Sequence, residues 1–144
     1  MQILAAIDGS EPAARAAALA ADLAVRYGAA LHLVHVIARP ADSKELAQFA
    51  QLEGLDTLEA QVTAAAQSLL ADARAQAASR GVHRVAAEVL VGDPAAQLVA
   101  YARERRIDLI VLGRRGMGPI RSLLMGSVST KVNSVATCPV LTVP

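Results

Sequence analysis

Asp108-Leu-Ile-Val-Leu-Gly-Arg-Arg-Gly-Met-Gly118, with Met125-Gly-Ser-Val128 close behind it, is the stretch that decides the fold. It reads as a short apolar strand, a loop with glycines at 113, 116 and 118, and Gly126-Ser127 leading into a helix-like run from Val128 to Ala136. Strand, glycine loop and helix start together present backbone N–H groups to an anion. Glycine suits that loop because it tolerates positive φ and lets a ligand approach the backbone closely.

The same alternation extends back to the N-terminus. Ile3 to Ile7 is an apolar run ended by Asp8-Gly9, after which Ser10 or Glu11 starts a helix with Pro12 in its first turn. Alanines and Leu23 recur at helical spacing up to Gly28, a C-terminal cap. Leu31 to Ile37 reads as a strand covered on both faces. Arg39 to Glu53, with Pro40 as a breaker, reads as an irregular connection. From Leu55 a helical stripe follows through Leu58, Val62, Ala65, Leu69, Ala73 and Ala77, ended by Gly81. Val85 to Val91 is a third strand, and Asp93-Pro94 is a helix start with Asp93 as N-cap. Ala95, Leu98, Val99 and Ala102 share one face of that helix. Leu109 to Leu112 is the fourth strand; Val128, Val132 and Val135 mark the last helix; Val140 to Val143 is the last strand.

Strict alternation predicts an α/β fold: a five-stranded, parallel, doubly wound sheet of order 3-2-1-4-5, with four helices on its two faces. At 144 residues the expectation is a single domain, 1–144, with a proper core. No repeat, linker or low-complexity tail interrupts it. Hydrophobic residues make up 54% but aromatics only 2%, so alanine and aliphatic side chains must fill the interior.

Composition also removes function classes. A net charge of +1 gives no drive toward polyanions, and two Tyr, one Phe and no Trp make a poor stacking platform, so nucleic acid is not an expected partner. Mean hydropathy is +0.39, yet charged residues interrupt every apolar stretch short of membrane-spanning length. The lone Cys138 allows no internal disulfide and is expected to be a buried structural thiol. With no secretory pattern at Met1-Gln2, these features fit a cytoplasmic protein.

In a doubly wound sheet, ligands bind beyond the carboxyl ends of the strands where the strand order reverses. Here that crevice lies between the first and fourth strands, so Asp8 and Gly113 converge on it. A carboxylate there can accept hydrogen bonds from ribose hydroxyls or a base, and the glycines and the helix beginning near Ser127 can hold phosphates. The plainer alternative is a turn, a helix cap and a shaped loop. Two phosphate motifs are absent. Gly113 and Gly118 have P-loop spacing, but Pro119 and Ile120 follow where Lys and Ser or Thr belong; Gly116 and Gly118 are followed by Arg121 where the dinucleotide fingerprint needs a third Gly.

The chain resembles the universal stress protein family. The resemblance is carried by Ile3-Leu-Ala-Ala-Ile-Asp-Gly-Ser10, Leu31-His-Leu-Val-His-Val36, Val91-Gly-Asp-Pro94, Leu112-Gly-Arg-Arg-Gly-Met-Gly118, Met125-Gly-Ser-Val-Ser129 and Cys138-Pro-Val-Leu-Thr-Val143. Gly113, two residues, Gly116, nine residues, Gly126-Ser127 is similar to that family's ATP-binding signature. The resemblance implies an ATP site in which Asp8 meets the ribose or adenine side, Ala6 and Ile7 line the pocket, and Val36 contacts adenine through its backbone. Gly113, Gly116, Gly126, Ser127 and Val128 would surround the phosphates and ribose, with Leu112 and Met125 as apolar wall. Mg²⁺ would arrive with the phosphates, and a homodimer would form where the strands Val140 to Val143 meet. Pro119 departs from the pattern by stiffening the loop.

Arg114, Arg115 and Arg121 either pair with phosphate oxygens or stay solvated. His32 and His35 point to opposite faces of one strand and cannot share a metal; with the isolated His83 they read as structural. No nucleophile–base pair or carboxylate pair is apparent. The expected function is a stress-response protein acting through its ATP-bound state. A slow ATPase or self-phosphorylating protein using Ser127, and a nucleotide-independent dimeric scaffold, stand as alternatives.

Overall fold

A computed structural model describes residues 1–39, 44–117 and 125–144 of the chain. In chain order the elements are β1 (Gln2–Ala6), α1 (Glu11–Tyr27), β2 (Ala30–Ile37), α2 (Lys44–Glu53), α3 (Leu55–Ser79), β3 (Val85–Val91), α4 (Pro94–Glu104), β4 (Leu109–Gly113), α5 (Ser127–Val135) and β5 (Val140–Val143). The strands form one sheet of order β3-β2-β1-β4-β5, and every neighbouring pair is parallel. This is the doubly wound topology that the alternation predicts. Its order reverses beside β1, so the carboxyl ends of β1 and β4 flank the crevice.

Local chemistry accounts for the helix ends. The Ser10 hydroxyl accepts from Ala13 N at 3.2 Å and caps α1, with Pro12 in the first turn. Gly28 closes that helix at φ 60°, the left-handed conformation that favours glycine. Asp93 caps α4 through Ala96 N at 3.0 Å, immediately before Pro94.

Alternation of side chains along the strands builds two core layers. Ile3, Ala5, Leu31 and Leu33 face α1 and α3 and pack against Ala16, Ala20, Leu70 and Ala77. Leu4, Val34, Ile110 and Leu112 face the other way, toward Leu98, Tyr101 and Ala102 of α4 and Val132 of α5. Alanines along α1 let its backbone lie close to the sheet.

The helix count differs from the expectation: the described residues hold five helices, not four. The additional one, α2, occupies Lys44–Glu53, where an irregular connection was expected. Its residues are good helix formers, and Leu52 is 84% exposed, so its apolar residues do not all fall on one face and the pattern gives little warning of a helix. Pro40 lies outside the described residues. The stripe of α3 also turns from its expected line. Leu58, Ala66, Leu70 and Ala77 are buried, whereas Leu55 and Ala65 are exposed. Alanines around the whole circumference blur the periodicity there. On α5 the buried residues are Ser129 and Val132, and Val135 is exposed.

Candidate functional site

A cavity of about 760 Å³ opens at the carboxyl ends of the central strands. That volume falls in the range of small-molecule and cofactor sites. Its floor lies on the α4/α5 side of the sheet, built from Ala6, Val36 and Leu112 at three strand ends. Leu98 and Pro94 of α4 form one wall, and Ser127, Val128 and Ser129 of α5 another.

Asp8 follows β1 directly. Its Oδ1 accepts from Ser10 N at 2.9 Å and from Ser10 Oγ at 2.5 Å, which fixes the carboxylate while the same hydroxyl caps α1. Asp8 Oδ2 faces the glycine loop closely enough that a Cβ on Gly116 would stand 2.8 Å from it. The acidic side chain and the loop after β4 therefore touch across the crevice. His35 contributes from the other sheet face. Its Nδ1 lies 2.6 Å from the Ile7 carbonyl, so a protonated Nδ1 donates to that oxygen and steadies the chain just before Asp8.

The glycines have different reasons. At Gly113 a Cβ would come within 2.7 Å of Ala13 N and 2.8 Å of Pro12 C, so this glycine lets β4 abut the first turn of α1. At Gly116 the restricting atom is the Asp8 carboxylate. At Gly126 a Cβ would sit 3.3 Å from Arg115 Cα, because the loop returns against itself there. The Arg114 carbonyl accepts from Gly126 N and from Ser129 Oγ, each at 2.7 Å, clamping the end of β4 to the start of α5. Gly126 occupies the N-cap of α5 and offers that helix no side-chain cap. The positive end of the α5 dipole therefore meets the cavity where Ser127 and Val128 line it.

Of the residues singled out from the sequence, Ala6, Ile7, Asp8, Val36 and Leu112 line this cavity from the strand ends. Gly113, Gly116, Gly126, Ser127 and Val128 line it from the loop and α5. Met125 is half-buried and is not one of the lining residues. Gly118, Pro119 and Arg121 lie outside the described residues. Sequence reasoning missed Pro12, Ala13, Pro94 and Leu98 as lining, although Pro12 and Pro94 were legible as helix starts at the carboxyl edge of the sheet. It also missed Met117 and Ser129, and left Arg115 undecided. Arg115 lines the cavity, and its Nε is buried without a hydrogen-bond partner among the described residues.

The remaining candidates do not line the cavity. His32 is buried on the α4 side, with Nδ1 2.9 Å from Tyr101 Oη and Nε2 2.6 Å from Gln2 Oε1. Burial chiefly, with help from the Arg105 charge, lowers the His32 pKa from its usual value against the opposing pull of Glu88. Burial chiefly, reinforced by Glu88, pushes Tyr101 up to about 12. Cys138 is half-buried; burial first, and Asp108 second, raises its thiol pKa, which suppresses the reactive thiolate. Among the described residues no cluster of three or more His, Cys, Asp or Glu side chains could hold a metal ion. No described helix is long and apolar enough to cross a membrane.

Fold and crevice together define a doubly wound α/β protein with a ligand-sized cavity at its switch point. The sequence profile of the Universal stress protein family matches residues 1–144, and the chain belongs to that family. It is 39% identical over 143 residues to a universal stress protein of Thermus aquaticus, covering 98% of this chain and 96% of the relative. It is 33% identical over 152 residues to the universal stress protein YxiE of Bacillus subtilis, covering 99% and 97%. The solved structure of the protein MJ0577 superposes with a TM-score of 0.82 at 25% identity, covering 99% of this chain and 94% of that one. The fold is shared with a universal stress protein solved in complex with cAMP (TM-score 0.73, 23% identity, covering 100% of this chain and 97% of that one). It is shared also with one from Archaeoglobus fulgidus solved with dAMP (TM-score 0.72, 24% identity, covering 100% and 98%).

Proposed function

We propose that this chain is an ATP-binding stress-response protein that acts through its nucleotide-loaded state. The observation that carries the reading is the meeting of Asp8, the 113–116 loop and the start of α5 around one cavity of about 760 Å³. Apolar floor and wall at Ala6, Val36, Leu98 and Leu112 suit a base, and the Asp8 carboxylate suits ribose hydroxyls. The loop amides and the α5 terminus suit phosphates. Mg²⁺ would be held mainly by those phosphates and water, which needs no dense set of protein ligands. The proteins solved with cAMP and dAMP share the fold at under 25% identity, so the reading rests on this chain's own cavity.

The test is direct. Protein purified without added nucleotide is denatured, and the supernatant is analysed by mass spectrometry; ATP is then titrated calorimetrically with Mg²⁺. Released adenine nucleotide, or saturable heat, is expected. Absence of both signals would reject the reading.

Ser127 favours one further activity, because it is exposed and lines the cavity beside the proposed phosphates. Self-phosphorylation there predicts label from γ-phosphate-labelled ATP on wild-type protein and none on Ser127→Ala, whereas slow hydrolysis predicts labelled inorganic phosphate released into solution. The proposed assembly is a cytoplasmic homodimer along β5. That strand pairs with β4 and stands at the sheet edge with Leu141 37% exposed. Sedimentation of Leu141→Lys as a monomer beside dimeric wild type checks it. A dimer of Leu141→Lys would exclude this edge, and normal partner binding by nucleotide-free protein would favour a plain scaffold.

A further inference from the structure

We infer that Arg115 pairs directly with the anionic group of the ligand and sets how strongly the site prefers a phosphorylated molecule over its unphosphorylated parent. The inference deepens the nucleotide reading and rests on it for the identity of the ligand's body.

Two adjacent arginines follow β4, and the Nε atoms of both are buried without a partner among the described residues. A guanidinium N–H removed from water and given no acceptor costs about 1–3 kcal/mol or more, since the group is charged. Arg115, unlike Arg114, lines the cavity. Asp8 shares that cavity but does not take up the Arg115 Nε. Its Oδ1 is engaged by Ser10, and its Oδ2 faces Gly116. The cavity is thus lined by an arginine whose Nε has no acceptor among the described residues.

The backbone presenting that fork is held in place. The Arg114 N–H donates to the Val143 carbonyl at 2.6 Å, and the Arg114 carbonyl is clamped by Gly126 N and Ser129 Oγ. Arg115 Cα lies in near contact with Gly126, which opens α5. Guanidinium and helix terminus are therefore carried by one clamped unit, and both favour the same charge on a ligand. A lone phosphate would not fill about 760 Å³, and the opposite wall is apolar. The chemistry points to a phosphate carried on a larger, partly apolar body.

Calorimetry of ATP, ADP, AMP and adenosine against wild type, Arg115→Gln and Arg115→Lys tests this. Loss of a charge-assisted pair is expected to weaken ATP and AMP roughly tenfold or more in Arg115→Gln, while adenosine stays within about twofold of wild type. Arg115→Lys should fall between, because an ammonium keeps the charge but not the planar fork. Gln keeps much of the aliphatic stem, and a melting temperature of the free protein no lower than that of wild type checks that the fold is intact. Equal losses for adenosine and ATP, or no loss for any ligand, would overturn the inference. The two readings also separate. If wild type binds no nucleotide, thermal shift with inorganic pyrophosphate decides. A shift in wild type that Arg115→Gln abolishes keeps the anion role and removes the nucleotide. A shift equal in both proteins, or absent from both, removes the anion role as well.

Discussion

The two faces of the sheet are built from the same alternating strands and put to opposite uses. On the α1/α3 face alanine and aliphatic side chains pack in one core cluster, and a crevice there between α1 and α3 measures only about 10 Å³, room for about one water. On the α4/α5 face the same sheet supports a cavity of about 760 Å³ at one end and the His32–Tyr101–Glu88–Arg105 network toward the other. One face is close-packed; the other spends part of its burial on a site. Side-chain size makes the difference. Alanine-lined α1 closes onto its face, whereas α4 begins with Pro94 over the crevice and reaches the sheet through Leu98 and Tyr101.

The largest effect expected from breaking this contrast is in Leu33→Ala on the packed face. It should cost about 2–5 kcal/mol in a urea titration, because the hole cannot collapse. Leu98→Ala extends an existing cavity and should cost at least about 1 kcal/mol less. Equal costs would mean that the cavity face is as tightly packed as its counterpart. Next comes a pair of glycines. Gly113→Ala forces a methyl into the α1 backbone and should lower stability by about 1–3 kcal/mol with no ligand present. Gly116→Ala meets one side-chain oxygen, Asp8 Oδ2, rather than backbone, so stability should fall less than in Gly113→Ala while nucleotide affinity falls. Reversal of that order would sink the division of labour between the glycines. Ser10→Ala should remove about 1 kcal/mol through the lost α1 cap. It also releases Asp8, so a loss of affinity beyond the loss of stability would show that the carboxylate's orientation matters.

The smallest effect is a pH slope. His32 has a lowered pKa in the folded protein, so near and above its ordinary value of 6.5 the full contribution is present. As pH falls below 6.5 the unfolded chain takes up a proton that the folded chain resists, and stability declines until the lower folded pKa is reached. Urea midpoints at pH 7.5 and 5.5 should therefore differ more for wild type than for His32→Gln. Identical slopes would place the proton elsewhere.

Much of the architecture was legible because it rests on local chemistry. Ser10-Glu-Pro and Asp93-Pro carry their own capping signals, and strict alternation leaves few topologies once crossovers are right-handed. The convergence of Asp8 and Gly113 follows from that topology alone. What was not legible depends on rotation about a helix axis or on distant contacts. In α3 the alanines hide the difference between Ala65 and Ala66. In α2 the exposed Leu52 breaks the apolar face that would have announced a helix. Leu98 reaches the cavity only because of how α4 is turned, and Tyr101 meets His32 across 69 residues of chain. The approach of Arg115 to Gly126 is a tertiary contact that no spacing reveals.

Arg114 gives the molecule a mechanical rivet. Through its N–H it grips the outermost strand at Val143, and through its carbonyl it grips Gly126 and Ser129. A ligand that pulls the loop inward must strain or carry with it the border at which a second molecule would add its strand. Deuterium uptake at this single amide therefore registers both events, and its slowing on saturation with one of them measures how firmly the two are yoked.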